Sequence, residues 1–287
     1  MSFLNTKRCL ICRATNATLY WHKSDTDIWT WCNKCDTGRS IQYYCHLAGI
    51  PLHEFLKLTF DFQEAKSNEV SKIEWPKSFV PLFDQRAKEG LEYLASRGID
   101  PDGDMYYDLQ RNGIVFPYNY ETVFCGAQIR LIKPWIDNEG KPRKIDTLPG
   151  TRLGLLFYNW NQKEFMPHVK GVIITEGAFN CLAIQQALNT TYGSLLTNPW
   201  KVIACSGSGA SKYHLDTIKE LKDKGLKIIL APDADEAGLK MLKKFSEAGA
   251  VTHYAITGDD ELDWNDFSKQ LSKYDFVEWF FKQVKHV

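Results

Sequence analysis

The sequence predicts an α/β protein in three parts: a small N-terminal β module, a mixed α+β basic subdomain, and a parallel-sheet α/β domain. Three observations carry that prediction. Two Cys-x2-Cys pairs, Cys9/Cys12 and Cys32/Cys35, are separated by nineteen residues near the N-terminus. Residues 111–152, which include strand-like apolar runs, carry seven Lys/Arg against four Asp/Glu. Beyond Gly171, short Val/Ile-rich runs alternate with segments of helical length, the rhythm of a parallel sheet with crossover helices. Hydrophobic residues at 44% and charged residues at 24% of 287 are globular values and exclude a wholly disordered chain. No window of about 18 apolar residues is present, so no span of a bilayer is expected. The opening MSFLNTKRCLIC lacks the apolar core of a secretory signal, so the expected compartment is the cytoplasm.

The first module, 1–60, takes its character from its cysteines. Each Cys-x2-Cys knuckle supplies two thiolates, and two knuckles make a tetrahedron suited to one structural Zn²⁺, which a region this small needs in order to fold. A reducing compartment disfavours disulfides for the eight cysteines. Between the knuckles, TLYWHKSDTDIWTW reads as two strands around a turn, completing a zinc ribbon. Trp21, His22, Trp29 and Trp31 on those strands, beside Lys34, suit stacking on unpaired bases; the plainer reading has such aromatics covering the metal core. Cys125, Cys181 and Cys205 read as core thiols.

Residues 61–81 are polar with two prolines and read as a linker. The basic subdomain, 82–165, opens with a helix carrying Ala87, Leu91, Leu94 and Ala95 on one face and closed by Gly98. Strands follow at 113–119 and 122–132, then LGLLFY at 153–158.

In the parallel-sheet domain, 166–262, strands at 171–175, 201–205, 227–231 and 251–256 alternate with helices at about 178–189, 211–224 and 236–248. Two short helices fill 263–287. The carboxylates fall at the strand ends: Glu176 after the first strand, Asp233 and Asp235 after the third, Asp263 and Asp266 after the last. Ligands of open α/β sheets bind outside those ends, and hard oxygen ligands there suit Mg²⁺ or Mn²⁺. Residues 233–266 hold nine acids against three bases, although the chain's net charge is zero. Ser206 and Gly207, in SGSG after the second strand, offer backbone N–H groups to a phosphate without forming a P-loop.

TEGAFNCLAI, IACSGSGAS, ILAPDADEAGLKML and DWNDF, in that order and spacing, resemble the TOPRIM motifs of primases, topoisomerases, nucleases and recombination proteins. The four-cysteine ribbon and the stretch RNGIVFPYNYETVFCGAQIRLIKPWIDNEGKPRKIDTLPG narrow the resemblance to bacterial and phage DNA primases. It implies synthesis of short RNA primers on single-stranded DNA by nucleotidyl transfer. Glu176, Asp233 and Asp235 would hold a pair of divalent ions, with Asp263 or Asp266 supporting. Arg130, Lys133, Lys141, Arg143 and Lys144 match the basic positions that hold nucleotide and template. The resemblance implies ribonucleoside triphosphates and single-stranded DNA as partners, an RNA primer as product, and a replicative helicase and DNA polymerase alongside. The compartment would be the bacterial host's cytoplasm if the chain is phage-encoded. Only about 20 residues follow Asp266, so the expectation is a stand-alone primase or the primase half of a longer chain. The competing expectations are a TOPRIM nuclease and a non-catalytic clamp like the recombination mediators.

Overall fold

In a computed structural model, the described residues are 70–101, 105–120, 123–136, 140, 142–160, 168–193, 197–206, 210–259 and 261–287, with the backbone of four N-terminal strands. Those strands, β1 (Ser2–Leu4), β2 (Leu19–Lys23), β3 (Ile28–Cys32) and β4 (Thr37–Ser40), form one antiparallel sheet in chain order. The hairpin expected between the cysteine knuckles is β2–β3, with Leu19 opposite Cys32 and His22 opposite Trp29. Trp21 lies on β2 and Trp31 on β3. Cys9, Cys12, Cys35 and Lys34 lie outside the described residues.

The second sheet is antiparallel, in the order β5 (Phe79–Pro81), β6 (Tyr106–Asp108), β7 (Gly113–Tyr120), β8 (Val123–Ile136) and β9 (Pro142–Thr147). Phe79–Pro81, at the far end of the stretch read as a linker, are paired with β6, and Phe79 and Val80 are buried. One face of this sheet buries Val115, Ala127, Ile129 and Leu131 with Phe79. The other shares a core with the C-terminal half.

Helix α1 (Lys88–Ser96) ends at Arg97, and Gly98 follows at φ 66°, a left-handed turn that glycine adopts without the Cβ penalty. The expected face is corrected at one position. Ala87 and Leu94 are buried, but Ala95 is exposed and Gly90 takes the inner place, where a Cβ would lie 2.8 Å from the Tyr107 ring.

The third sheet has the order β11 (Trp200–Ala204), β10 (Gly171–Thr175), β12 (Lys227–Ala231), β13 (His253–Tyr254) and β14 (Lys285–His286). Its first four strands are parallel; β14 is antiparallel to β13. Helices α2 (Ala178–Tyr192), α3 (Lys212–Asp223) and α4 (Glu236–Glu247) are the crossovers, and α5 (Trp264–Gln270) and α6 (Lys273–Lys282) follow. Two expected strands differ. LGLLFY forms a short 3₁₀ turn at Leu153–Leu155, then a single bridge in which Tyr158 and Ala204 exchange both backbone bonds at 2.9 and 3.2 Å. VTHYAI pairs only at His253–Tyr254. In both runs apolar burial is met by packing, with Leu155, Leu156 and Phe157 or Val251 and Ala255 inside.

The largest core joins the two halves. Ile114, Phe116 and Tyr118 of β7 pack with Phe179, Cys181 and Leu182 of α2, Trp264 of α5, and Phe276 and Phe280 of α6. Helix α2, between the sheet and α5/α6, is buried on nearly every side from Ala178 to Leu188, with Asn180 and Gln185 among its buried residues. Cys125, Cys181 and Cys205 are buried free thiols, as expected. Among the described residues, no helix is long and apolar enough to cross a membrane.

Candidate active site

A cleft of about 370 Å³ opens between the second sheet and the carboxyl ends of β10 and β12. Glu176, Gly177 and Asn180 line it from β10 and α2, Asp233 from the end of β12, Asp263 from the start of α5, and Gln128 and Arg130 from β8. Three of the acids singled out in the sequence therefore share one cavity with one of the expected cations.

Asp233 is the most perturbed. Burial first, then the charges of Glu176, Asp263 and Asp235, push its carboxyl up to about 7, and a hydrogen bond from Asn180 pulls the other way. That bond runs from Asn180 Nδ2 to Asp233 Oδ1 at 2.7 Å. The amide of Asn180 is fixed from its other end, where Oδ1 accepts the backbone N–H of Asn265 at 3.1 Å. Glu176 is raised too, by burial and then by Asp235, and its Oε2 is buried with no hydrogen-bond partner.

Asp235 and Asp263 both cap helices. Asp235 Oδ1 accepts from Gly238 N–H at 2.8 Å, and Asp263 Oδ1 from Asp266 N–H at 2.8 Å. Gly238 is required by close approach: a Cβ there would meet the Asp233 carbonyl oxygen at 2.0 Å. The last acidic pair is divided. Burial raises the Asp263 carboxyl, and Asp263 lines the cleft. Asp266 is lowered against its own burial by Lys269, 2.7 Å away, and by Arg97.

Arg97 was not singled out in the sequence. Its guanidinium reaches Asp263 at 3.5 Å and Asp266 at 3.7 Å and lies 5.2 Å from the centre of the Phe179 ring. Arg130 approaches the same ring from β8 at 5.8 Å and donates from Nε to the Tyr93 hydroxyl at 3.1 Å. Asn180 and Gln128 were missed as well. Asn180 lies in the first turn of α2, four residues after Glu176 and inside the motif TEGAFN, and that proximity was its signal. Arg97 and Gln128 come from distant parts of the chain and carried no local signal.

Of the other expected cations, Lys133, Arg143 and Lys144 are exposed on β8 and β9, outside the cleft wall, and Lys141 lies outside the described residues. Ser206 lines the cleft, but its amide is committed: the N–H donates to the Glu176 carbonyl at 2.9 Å and its own carbonyl accepts from Gln128 Nε2 at 3.0 Å. The N–H expected to meet a phosphate is thus engaged within the protein in this structure. Gly207 lies outside the described residues.

The donor chemistry fits a hard divalent cation. Asp233 and Glu176 are half-buried carboxyls, both raised first by burial and then by neighbouring acids, and Glu176 Oε2 lacks any donor, so added positive charge would relieve both. Among the described residues, no three such groups already converge in a metal-binding cluster.

A protein-family profile described as Toprim-like matches residues 173–268, the stretch that holds every acid of this cleft. Residues 173–268 are thus similar to the Toprim-like family. Three solved structures share the wider fold, each with a TM-score of 0.50. The catalytic core of DnaG is 16% identical, the match covering 72% of this chain and 76% of that one. The RNA polymerase domain of the Mycobacterium tuberculosis primase DnaG is 15% identical, over 70% and 78%. The Aquifex aeolicus primase, with zinc-binding and RNA polymerase domains, is 16% identical, over 100% and 81%. At these identities the likeness is one of fold. Among curated proteins, no sequence relative matches.

Proposed function

We propose that the chain is a DNA primase that joins ribonucleotides on a single-stranded DNA template. The observation that carries this is the cleft itself: Glu176, Asp233 and Asp263 at the carboxyl ends of a Toprim-like sheet, facing Arg97 and Arg130 across a primase-type fold. In the reaction, the 3′-hydroxyl of one nucleotide attacks the α-phosphate of the next, the P–O bond to the leaving group breaks, and pyrophosphate departs. Charge gathers on the phosphoryl oxygens, so the protein's task is to position and neutralise. Mg²⁺ or Mn²⁺, held by Glu176 and Asp233 with Asp235 and Asp263 nearby, would supply Lewis-acid charge at those oxygens. Asn180 holds Asp233 in orientation, and Arg97 and Arg130 offer guanidinium groups to phosphate. Lys133, Lys141, Arg143 and Lys144 would attract the template backbone. The four cysteines, Cys9, Cys12, Cys32 and Cys35, would hold one zinc in a cytoplasmic, thiol-preserving setting, with Trp21, His22, Trp29, Trp31 and Lys34 reading unpaired template bases. Helicase and DNA polymerase partners belong to the same proposal.

The test is primer synthesis. Purified chain, Mg²⁺ or Mn²⁺, all four ribonucleotides with a labelled precursor, and mixed-sequence single-stranded DNA should yield short template-dependent oligoribonucleotides. Asp233→Ala should abolish them. DNA shortened by wild-type chain would identify a nuclease instead, and DNA bound intact with no product under any condition a clamp.

A further inference from the structure

Helix α1 sends two side chains the same way. Tyr93 and Arg97, the latter at the C-cap, are four residues apart, about one helical turn, and so lie on one face. Arg97 lines the cleft directly. Tyr93 is set back from it, and its hydroxyl accepts from Arg130 Nε of β8 at 3.1 Å. Against all three lies Phe179, in the first turn of α2. The centre of its ring is 5.2 Å from the Arg97 guanidinium and 5.8 Å from that of Arg130, and the Tyr93 ring meets it edge-on at 6.0 Å.

This arrangement decides which part of Arg130 is presented. A guanidinium has five N–H donors, one at Nε and four on the two Nη atoms. With Nε given to Tyr93, the Nη edge is left, the fork that fits two oxygens of one phosphate. The groups that hold Arg130, a hydroxyl and an aromatic ring, carry no charge, so the cation is steadied without being neutralised. That matters in a cleft shared with Glu176 and Asp233. An arginine without such holds would swing onto a carboxylate, and each charge would cancel the other. Arg97 shows the contrast, shared between Asp263 at 3.5 Å and Asp266 at 3.7 Å.

We infer that Tyr93 and Phe179 are positioning residues, which aim Arg130, with Arg97 beside it, at the phosphate chain of a nucleoside triphosphate. The inference rests on the nucleotidyl-transfer reading above and adds to it the uncharged side chains that hold the two cations in place. Phe179 also belongs to the shared core, where it meets Phe116 edge-on, so its packing role has to be separated from its hold on the arginines.

The experiment measures binding of ATP and of inorganic tripolyphosphate to the full chain, with Mg²⁺ and no template, by displacement of a fluorescent ATP analogue. Tyr93→Phe removes only the hydroxyl and keeps the ring against Phe179. It is expected to weaken both ligands by about 10-fold, at close to the wild-type melting temperature. In an Arg130→Met background, which has no guanidinium to aim, Tyr93→Phe should weaken neither further; a merely structural effect would add in full. Phe179→Leu keeps apolar packing without a ring face and should cost about 3- to 10-fold, largely restored by Phe179→Tyr. Wild-type tripolyphosphate affinity in Tyr93→Phe or in Phe179→Leu would overturn the inference. So would an equal loss from Tyr93→Phe with and without Arg130, or a wild-type chain that does not bind tripolyphosphate. The primase reading fails separately. Wild-type chain that makes no primers, yet shows the Arg130-dependent effect of Tyr93→Phe on tripolyphosphate, would overturn that reading and leave the positioning standing.

Discussion

Asp233 carries a cost that its neighbours impose. Its carboxyl lies near 7 in the folded chain against 3.8 without perturbation, so the native state binds the proton more tightly than the unfolded chain does. The contribution of Asp233 to stability is then most favourable below about pH 4, falls as pH rises, and reaches its lower plateau above about 7. Asp233→Asn should therefore raise the melting temperature at pH 8 without divalent ions, by an amount reflecting about 1–3 kcal/mol, and change it little at pH 4. The same proton competes with a cation. Calorimetric titration with Mn²⁺ should show affinity falling as pH drops below about 7, and an affinity flat from pH 5 to 8 would contradict the assignment. Asn180 acts on this carboxylate. Asn180→Ala removes its hydrogen bond and strands the Asn265 N–H, an expected loss of about 1–3 kcal/mol by denaturant titration, with slower primer synthesis at saturating nucleotide. Glu176, Asp233 and Asp263 were legible in the sequence because strand ends in a parallel sheet gather without reference to side-chain detail. Arg97 was not, because its place depends on α1 packing against α5, a contact between residues well over 150 positions apart.

At the scale of the element, helix starts do two jobs. Helices α4 and α5 each begin on an aspartate whose carboxylate caps the first turn, so the chain places acids at the cleft by the same bonds that start its helices. The first turn of α4 also runs so close to the Asp233 backbone that Gly238→Ala must displace one of them. That variant is expected to lose about 2–4 kcal/mol and most of its synthetic activity, with the melting temperature checking the first and the primer gel the second. Elements were legible where burial forces one answer. β10, β11 and β12 are nearly continuous Val/Ile runs covered on both faces, and no other structure buries them so well. LGLLFY looked the same in composition, yet its neighbours left it no strand to pair with beyond one bridge at Tyr158. The inward place of Gly90 on α1 was unreadable for a related reason: a residue without a side chain leaves no apolar mark, although the Tyr107 ring needs that space.

Across the whole molecule, one core runs from β7 through α2 to α6, and polar ties reinforce it. Asn265 Nδ2 donates to the Arg97 carbonyl at 2.8 Å, Gln186 bonds the Asp100 backbone on both sides, and Lys273 pairs with the Asp100 carboxylate. The second and third sheets should therefore unfold together. Calorimetry of the full chain is expected to give one transition for them, and Gln186→Ala should lower its midpoint without splitting it. These same ties fasten the outer wall of the cleft, at the end of α1, to its floor on α2 and α5. In the proposed synthesis, walls fastened in this way would stay together, and translocation would be the strand's business: each added nucleotide would slide the growing hybrid one step past a stationary floor.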